Sequence, residues 1–308
     1  MKVSYIIPTY NRLEYLNEAI NSCFKQNYNN FEIIVSDNSD NDLVKKLTDE
    51  FSDERIIYCR NSVNIGAVAN WKKAIELSSG DICIILSDDD YFIDDQYTKN
   101  ALEYFKDSSI NLVICDCVLG KEKDVPTFLD LPLKINGREF IENFWTKNYF
   151  IPVISNFFRK SALESFEYFQ DSDILYSDIE LWLKMMIFGN VGYYNKPAVY
   201  YRFHKTNIVT NMNCEKLIKN SKFINNVVSY LPKKDGEVIK KHLFLNYLHF
   251  ILNIYKYEYK EIKGLYFGIM KEIRIDNKFM KFYFKYIVNK IIRKIKRLFK
   301  STITAFDK

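Results

Sequence analysis

Apolar residues in the first two thirds of the chain come in short runs, and between the runs they recur at three- and four-residue spacing. The runs Val3-Ser4-Tyr5-Ile6-Ile7, Phe31-Glu32-Ile33-Ile34-Val35, Arg55-Ile56-Ile57-Tyr58-Cys59, Ile82-Cys83-Ile84-Ile85-Leu86 and Asn111-Leu112-Val113-Ile114-Cys115 read as strands. Leu13, Leu16, Ile20, Cys23 and Phe24, and later Val68, Trp71, Ala74, Ile75 and Leu77, mark one face of a helix each. Further helices are expected over 42–51 and 94–105. Pro8 is expected to stop the first strand, and Asn11 with Glu14 three residues on has the pattern of a capping box. Alternation of strands and helices at this spacing predicts an α/β fold with a mostly parallel, doubly wound sheet. Right-handed crossovers place the strand ends on one edge, where such sheets bind ligands. Asp37 and the run Asp88-Asp89-Asp90, each after an apolar run, therefore converge on one cleft.

Three adjacent carboxylates repel one another unless a cation or a basic partner compensates them. Oxygen ligands in this number suit Mg²⁺ or Mn²⁺, which arrive with substrate phosphates. A solvated acidic turn ahead of a helix is the plain alternative, and an Asx turn is the plain alternative for Asp37. No G-x-x-x-x-G-K-[ST] loop is present, and no G-x-G-x-x-G follows the first strand, so phosphate binding has to rest on a metal and scattered donors.

Beyond the fifth strand, 120–133 reads as an irregular loop over the cleft and 137–145 as a helix. A strand is expected over 152–160. Ile179, Trp182, Leu183, Met186 and Ile187 form the core face of a helix that begins near Ser177-Asp178, and Pro197 to His204 reads as a strand and its end. From about 206 only helical spacing remains, over 216–231, 237–257 and 262–273.

The composition, 48% hydrophobic and 27% charged over 308 residues, is that of a folded globular protein. Cys23, Cys59, Cys83, Cys115, Cys117 and Cys214 sit mostly in apolar runs without metal-ligand spacing, as reduced thiols of a cytoplasmic protein do. The start reads as a strand rather than a signal peptide, and the most apolar stretch, 243–257, carries Asn246, His249 and Asn253 and is too polar to span a bilayer. The net charge of +5 is unevenly spread. Over 278–300 nine lysines and arginines interleave with Ile, Val, Leu and Phe, with no acidic residue between Asp276 and Asp307. That pattern predicts a basic amphipathic helix on an anionic membrane surface, with a terminal helix packed on its own domain as the alternative. No recognised module supports nucleic acid as a partner.

The segments Ile6-Ile7-Pro8-Thr9-Tyr10-Asn11-Arg12, Val35-Ser36-Asp37-Asn38-Ser39-Asp40, Asn64-Ile65-Gly66 with Ala69-Asn70, and Ser87-Asp88-Asp89-Asp90 together resemble the family 2 glycosyltransferases. The resemblance implies a GT-A catalytic domain over 1–205, with a nucleotide-sugar half (1–117) and an acceptor half (118–205), followed by a helical region over 206–308. It implies a UDP-sugar donor, a divalent Mn²⁺ or Mg²⁺ ion, and transfer of a sugar to a saccharide or lipid-linked saccharide with inversion. Pro8, Thr9, Tyr10, Arg12, Asp37, Asn64, Gly66, Asp88 and Asp89 would then bind the donor. Asp37 would meet the base, Asp88 the ribose or a metal-bound water, Asp90 the metal, and His204 of Tyr201-Arg202-Phe203-His204 the diphosphate or the metal.

Ser155, Asn156 and Trp182 are candidate acceptor contacts. The family places a Glu-Asp pair before the acceptor-side helix, with the Asp as base; here Ser177 replaces the Glu and Asp178 aligns with the base. A sugar hydroxyl needs a carboxylate to take its proton as it attacks, and Glu180 is the reserve candidate for that task. A helix dipole at Asp178 would lower its pKa and weaken it. The Ser177 replacement leaves open a sugar-nucleotide-binding or scaffolding protein that has lost turnover. No Q-x-x-R-W motif of processive polymerases is present, which favours single-sugar transfer.

Overall fold

The computed structural model describes residues 1–120, 124–143, 156–169, 176–204, 213–254 and 259–275. Strand β1 (Val3–Thr9) sits between β2 (Phe31–Asp37) and β4 (Ile82–Ile85), and β3 (Ile56–Arg60) flanks β2; all four are parallel. Helices α1 (Leu13–Phe24), α2 (Leu43–Glu50) and α3 (Ala67–Leu77) make the crossovers. β1, β2 and β4 are buried on both sides, which is why they read as continuous apolar runs.

The strand β1 runs through Pro8 rather than stopping there. Along a parallel strand, successive residues turn their backbone groups to opposite neighbours. Thr9 carbonyl accepts Asn38 N–H on the β2 side and Ile6 carbonyl accepts Leu86 N–H on the β4 side. Pro8 therefore faces the β4 side, beyond the last β1–β4 pair, Ile6 with Ile85. The N–H it lacks has no ladder to serve there. The capping box is also absent. Asn11 takes a left-handed conformation, φ 56°, that Asn tolerates, and its N–H goes to Ser39 Oγ at 2.9 Å. Arg12 precedes α1 without a side-chain cap.

The second half of the sheet is mixed. β9 (Phe157–Arg159) lies antiparallel between β4 and β6 (Ile110–Gly120), and β10 (Asn190–Arg202) runs parallel to β6. β5 (Tyr91–Phe92) and β8 (Lys134–Ile135) pair antiparallel with β10, and β7 (Asp124–Pro126) with β6. These short strands are fixed by their neighbours rather than by any period of their own. The stretch expected as an irregular loop is pinned by the wholly buried Asp116, which accepts Tyr193 Oη–H at 2.5 Å and Leu129 N–H at 3.0 Å.

Helices α4 (Tyr97–Tyr104), α5 (Gly137–Asn143) and α6 (Ser177–Ile187) complete this part. The expected helix over 216–231 is two, α7 (Cys214–Asn220) and α8 (Phe223–Val228), and α9 (Lys233–Ile254) and α10 (Tyr259–Ile273) follow. One apolar cluster joins sheet residues Ile6, Leu112 and Phe158 to Trp182 of α6, Phe223 of α8, Phe244 of α9 and Tyr266 of α10. Among the described residues, no helix is long and apolar enough to cross a membrane. The expected basic helix over 278–300, and the expected boundary at 205–206, lie outside the described residues.

Candidate active site

At the end of β4 the chain turns through Ser87-Asp88-Asp89-Asp90, with Asp90 N–H on Ser87 carbonyl at 3.1 Å. The three carboxylates are buried and take different partners. Asp88 Oδ2 accepts Thr9 Oγ1–H at 2.7 Å and Tyr10 N–H at 3.4 Å, and its Oδ1 accepts Arg12 Nη1–H at 3.1 Å. Asp89 Oδ2 accepts Arg12 Nη1–H at 2.7 Å and lies 2.7 Å from His204 Nε2. Asp90 Oδ1 accepts the backbone N–H of Arg202 at 2.7 Å. Asp88 thus anchors the Pro8–Arg12 loop, and His204 meets Asp89. The end of β10 is clamped to α1: the Arg202 guanidinium pairs with Glu18 at 2.6 Å and covers the rings of Tyr15 and Tyr91, and His204 stacks on Tyr15.

The charges do not balance within this group. Burial and Asp89 push the Asp88 carboxyl up to about 6, against Arg12, Thr9 and Tyr10. Burial, with Asp89 and Asp88 beside it, holds Asp90 well above the carboxylate range, although Arg202 pulls the other way. Arg12 touches Asp88 and Asp89 but not Asp90. Among the described residues, no group of three or more His, Cys, Asp or Glu side chains is arranged to hold a metal. The residues still fit Mg²⁺ or Mn²⁺. Asp90 is a buried oxygen donor that Arg12 does not reach, His204 sits on the neighbouring Asp89, and such ions take their remaining ligands from phosphate and water.

At the end of β2, Asp37 is 0% exposed. Its Oδ1 accepts Ser39 N–H at 2.7 Å, an Asx turn, and its Oδ2 accepts Tyr58 Oη–H at 2.8 Å. It does not present itself to a base in this structure, because both oxygens are spent on the β2–β3 ends. Beside it lies an asparagine network that sequence reasoning missed in part. Asn61 Nδ2 donates to Asn38 Oδ1 and Asn70 Oδ1, both at 2.9 Å, and Lys73 Nζ donates to Asn61 Oδ1 at 2.6 Å. Asn38 Nδ2 holds Gly66 carbonyl, and Asn64 Oδ1 accepts Gly66 N–H at 2.9 Å. Gly66, at φ 84°, enters α3 in a conformation that side chains rarely adopt. Asn38, Asn64, Gly66 and Asn70 stand in the segments quoted from the sequence, whereas nothing there pointed to Asn61 or Lys73.

On the acceptor side, α6 begins at Ser177 and carries Asp178 in its first turn, 4% exposed. Among the described residues Asp178 Oδ1 has no hydrogen-bond partner. Burial pushes its carboxyl up to about 7, against the N–H groups of the first turn. The expected lowering by the helix end is real but smaller than desolvation. Glu180 is not placed to act as a base. Its Oε1 accepts Lys184 Nζ at 2.6 Å and its Oε2 accepts Asn226 Nδ2 at 3.0 Å, and Lys184 also bonds Glu167 carbonyl at 2.6 Å. That pair ties α6 to α8.

Trp182 is 1% exposed and packs on Phe158, and Asn156 is 0% exposed, so neither meets an acceptor in this structure. Helical spacing had already put Trp182 on the core face, and packing completes its burial. Ser155 lies outside the described residues. Burial, with the Asp90, Asp89 and Asp178 carboxylates, pushes the phenol of Tyr201, quoted only as part of a motif, above its ordinary range.

The family model described as glycosyl transferase family 2 matches residues 4–166, just over half of the 308. The chain belongs to the family 2 glycosyltransferases. The matched span holds the acidic cluster and ends before Asp178 and His204. This glycosyltransferase is 38% identical over 121 residues to the abequosyltransferase RfbV of Salmonella typhimurium, covering 38% of the chain and 36% of RfbV. It is 25% identical over 218 residues to the GalNAc(5)-diNAcBac-PP-undecaprenol beta-1,3-glucosyltransferase of Campylobacter jejuni, covering 68% and 67%. Residues 1–349 of S. aureus TarS, solved with UDP, superpose with a TM-score of 0.68 at 15% identity, covering 89% of this chain and 81% of that one. The mannosyltransferase PcManGT of Pyrobaculum calidifontis, solved with GDP-Man and Mn²⁺, gives 0.57 at 13% identity, covering 90% and 88%. These likenesses show the GT-A fold.

Proposed function

We propose that this glycosyltransferase moves one sugar, with inversion, from a UDP-sugar to a hydroxyl of a surface-glycan or lipid-linked saccharide, with Mn²⁺ or Mg²⁺ in the site. The observation that carries this reading is Asp178: a buried carboxylate with one oxygen free among the described residues, its carboxyl pushed up to about 7 by burial. A base poised near neutrality suits proton removal from a sugar hydroxyl. Inversion is the single displacement that one base in the position of Asp178 would serve. Asp90, with His204, would hold a divalent ion, which would supply positive charge to the departing diphosphate. Arg12 and Thr9 keep the Pro8–Arg12 loop seated on Asp88, Tyr10 stays exposed for the nucleotide, and Asn64 and Gly66 frame the far end. UDP and the lipid-linked acceptor are carried over from the names of the TarS complex and the Campylobacter relative.

Nucleotide release from a panel of UDP-, GDP- and dTDP-hexoses, with Mn²⁺ and with a diphosphate-linked hexose acceptor, tests the reading. UDP release that EDTA abolishes is expected. Nucleotide binding without release with any acceptor would leave a binding or scaffolding protein in its place.

The catalytic part is assigned to 1–205 and the helical region to 206–308, whose basic end would hold the enzyme at the cytoplasmic face of an anionic membrane. Each lysine or arginine near such a surface contributes about 1 kcal/mol. Full-length protein is expected to sediment with anionic liposomes at low salt, and a chain truncated before Lys278 to stay in the supernatant; equal behaviour of the two removes the membrane role.

A further inference from the structure

A layer of buried asparagines lies beside the ends of β2 and β3. Asn38 and Asn61 are 4% exposed and Asn70 2%, whereas residues 62–67, which lead from Asn61 into α3, are exposed. The direction of each amide is fixed from the ends of the layer. Lys73 Nζ meets Asn61 at 2.6 Å and can only donate, so the atom it meets is the oxygen. Asn61 Nδ2 therefore points to Asn38 and Asn70, both at 2.9 Å, and these present their oxygens to it. Their own Nδ2 groups then face backbone carbonyls, Gly66 for Asn38 at 3.2 Å and Ser36 for Asn70 at 2.9 Å. Reversing any one amide sets donor against donor or acceptor against acceptor.

The layer grips the exposed turn and ties it to the acidic cluster. Gly66 carbonyl also accepts Asn70 N–H at 3.1 Å, and Ile65 N–H reaches Asn38 Oδ1 at 3.4 Å. Asn61 N–H donates to the carbonyl of Asp37 at 2.8 Å, and Asn38 N–H to that of Thr9 at 3.0 Å. Thr9 Oγ1 in turn donates to Asp88 at 2.7 Å. A continuous path of bonded residues thus runs from Lys73 of α3 to Asp88. Apolar packing could support a turn as well; what the amides add is a single defined arrangement.

We propose that Lys73 and Asn61 are positioning residues for the donor nucleotide: Lys73 orients the Asn61 amide, which through Asn38 holds the Asn64–Gly66 turn and the Thr9 end of β1 in the conformation the nucleotide binds. This rests on the reading above, in which Asn64, Gly66 and the Pro8–Arg12 loop bind the donor. Neither side chain has to touch the nucleotide. A turn held in advance loses less freedom when the ligand arrives, so the pair acts on affinity and not on the chemical step.

Lys73→Met removes the ammonium, keeps the stem and leaves the Asn61 amide free to reverse. UDP affinity, measured calorimetrically with Mn²⁺, is expected to fall about 3- to 10-fold, the scale of one or two hydrogen bonds, with the KM for the UDP-sugar rising to match and kcat within about twofold of wild type. Asn61→Asp keeps the size and the Lys73 contact but sets oxygen against both Asn38 and Asn70, and should weaken UDP by about 10- to 100-fold. Lys73→Met decides alone if Asn61→Asp fails to fold. Lys73→Arg, which still donates, should restore affinity, and Lys72→Met, which removes a neighbouring exposed charge, should leave it unchanged. A merely structural pair would lower the melting temperature and the active fraction, so kcat would fall while KM stayed. That result, a loss of less than about threefold in Lys73→Met, or an equal loss in Lys72→Met would overturn the proposal and leave the donor reading intact. Wild-type protein that binds no UDP overturns the donor reading and this inference together.

Discussion

Asp178→Asn is expected to bind UDP and Mn²⁺ as wild type does and to lose about 10²–10⁴-fold in transfer, the usual effect of removing a general base. The amide keeps the size of the carboxyl and its place in the first turn of α6, so the loss is chemical. The pH profile follows from the same burial. With Asp178 pushed up to about 7, the base is ionised only toward and above neutrality. Acceptor kcat/KM should therefore rise with pH to a plateau beyond about 7, where an ordinary carboxylate would give a flat profile from about 5 upward.

The stability sign is the reverse. Relative to an unfolded carboxyl near 4, the native state holds the proton more tightly, so stability falls as pH rises from about 4 to about 7. Asp178→Asn escapes that loss and should melt above wild type at pH 8 but not at pH 4. Glu180→Gln should behave oppositely. It breaks the buried Glu180–Lys184 ion pair at 2.6 Å, a change that typically costs about 3–5 kcal/mol, while the protein that does fold transfers normally. Transfer retained in Asp178→Asn and lost in a folded Glu180→Gln would move the base to Glu180.

Asp90→Asn is expected to make nucleotide binding indifferent to Mn²⁺. The substitution removes one hard ligand and one negative charge that Arg12 does not touch. Calorimetry of UDP with and without Mn²⁺ reads the effect; in wild type the metal should strengthen binding and raise the melting temperature in the presence of UDP by mass action. Without metal and nucleotide, Asp90→Asn should melt slightly above wild type, because the Asp90 carboxyl is buried beside Asp89 and Asp88. A metal dependence equal to wild type would take Asp90 out of the site. Asp88→Asn should instead loosen the Pro8–Arg12 loop, since Asp88 holds Thr9, Tyr10 and Arg12.

The parallel half of the sheet, its helices and the acidic cluster at the tip of β4 were legible in the chain because each depends on local pattern. A strand buried on both faces has to be apolar throughout, and the polar residues just past its end have to lie at the sheet edge. The family could be read the same way, from four short segments in order.

Tertiary packing decided the rest. Trp182, Asn156 and Asp37 have the residue types of a binding site, yet the core and the β2–β3 ends bury all three. Asp178 stands at a helix end that should lower its pKa, and desolvation raises it instead. Pro8 continues its strand only because β4 has already ended beside it. The partners that shape the site are far apart along the chain, 79 residues from Thr9 to Asp88 and 115 from Asp89 to His204. Hydrophobic periodicity records which side of an element is buried. It carries no information on which distant polar group meets another, or on how completely water is excluded between them, and those two quantities set the charge of Asp90 and the basicity of Asp178.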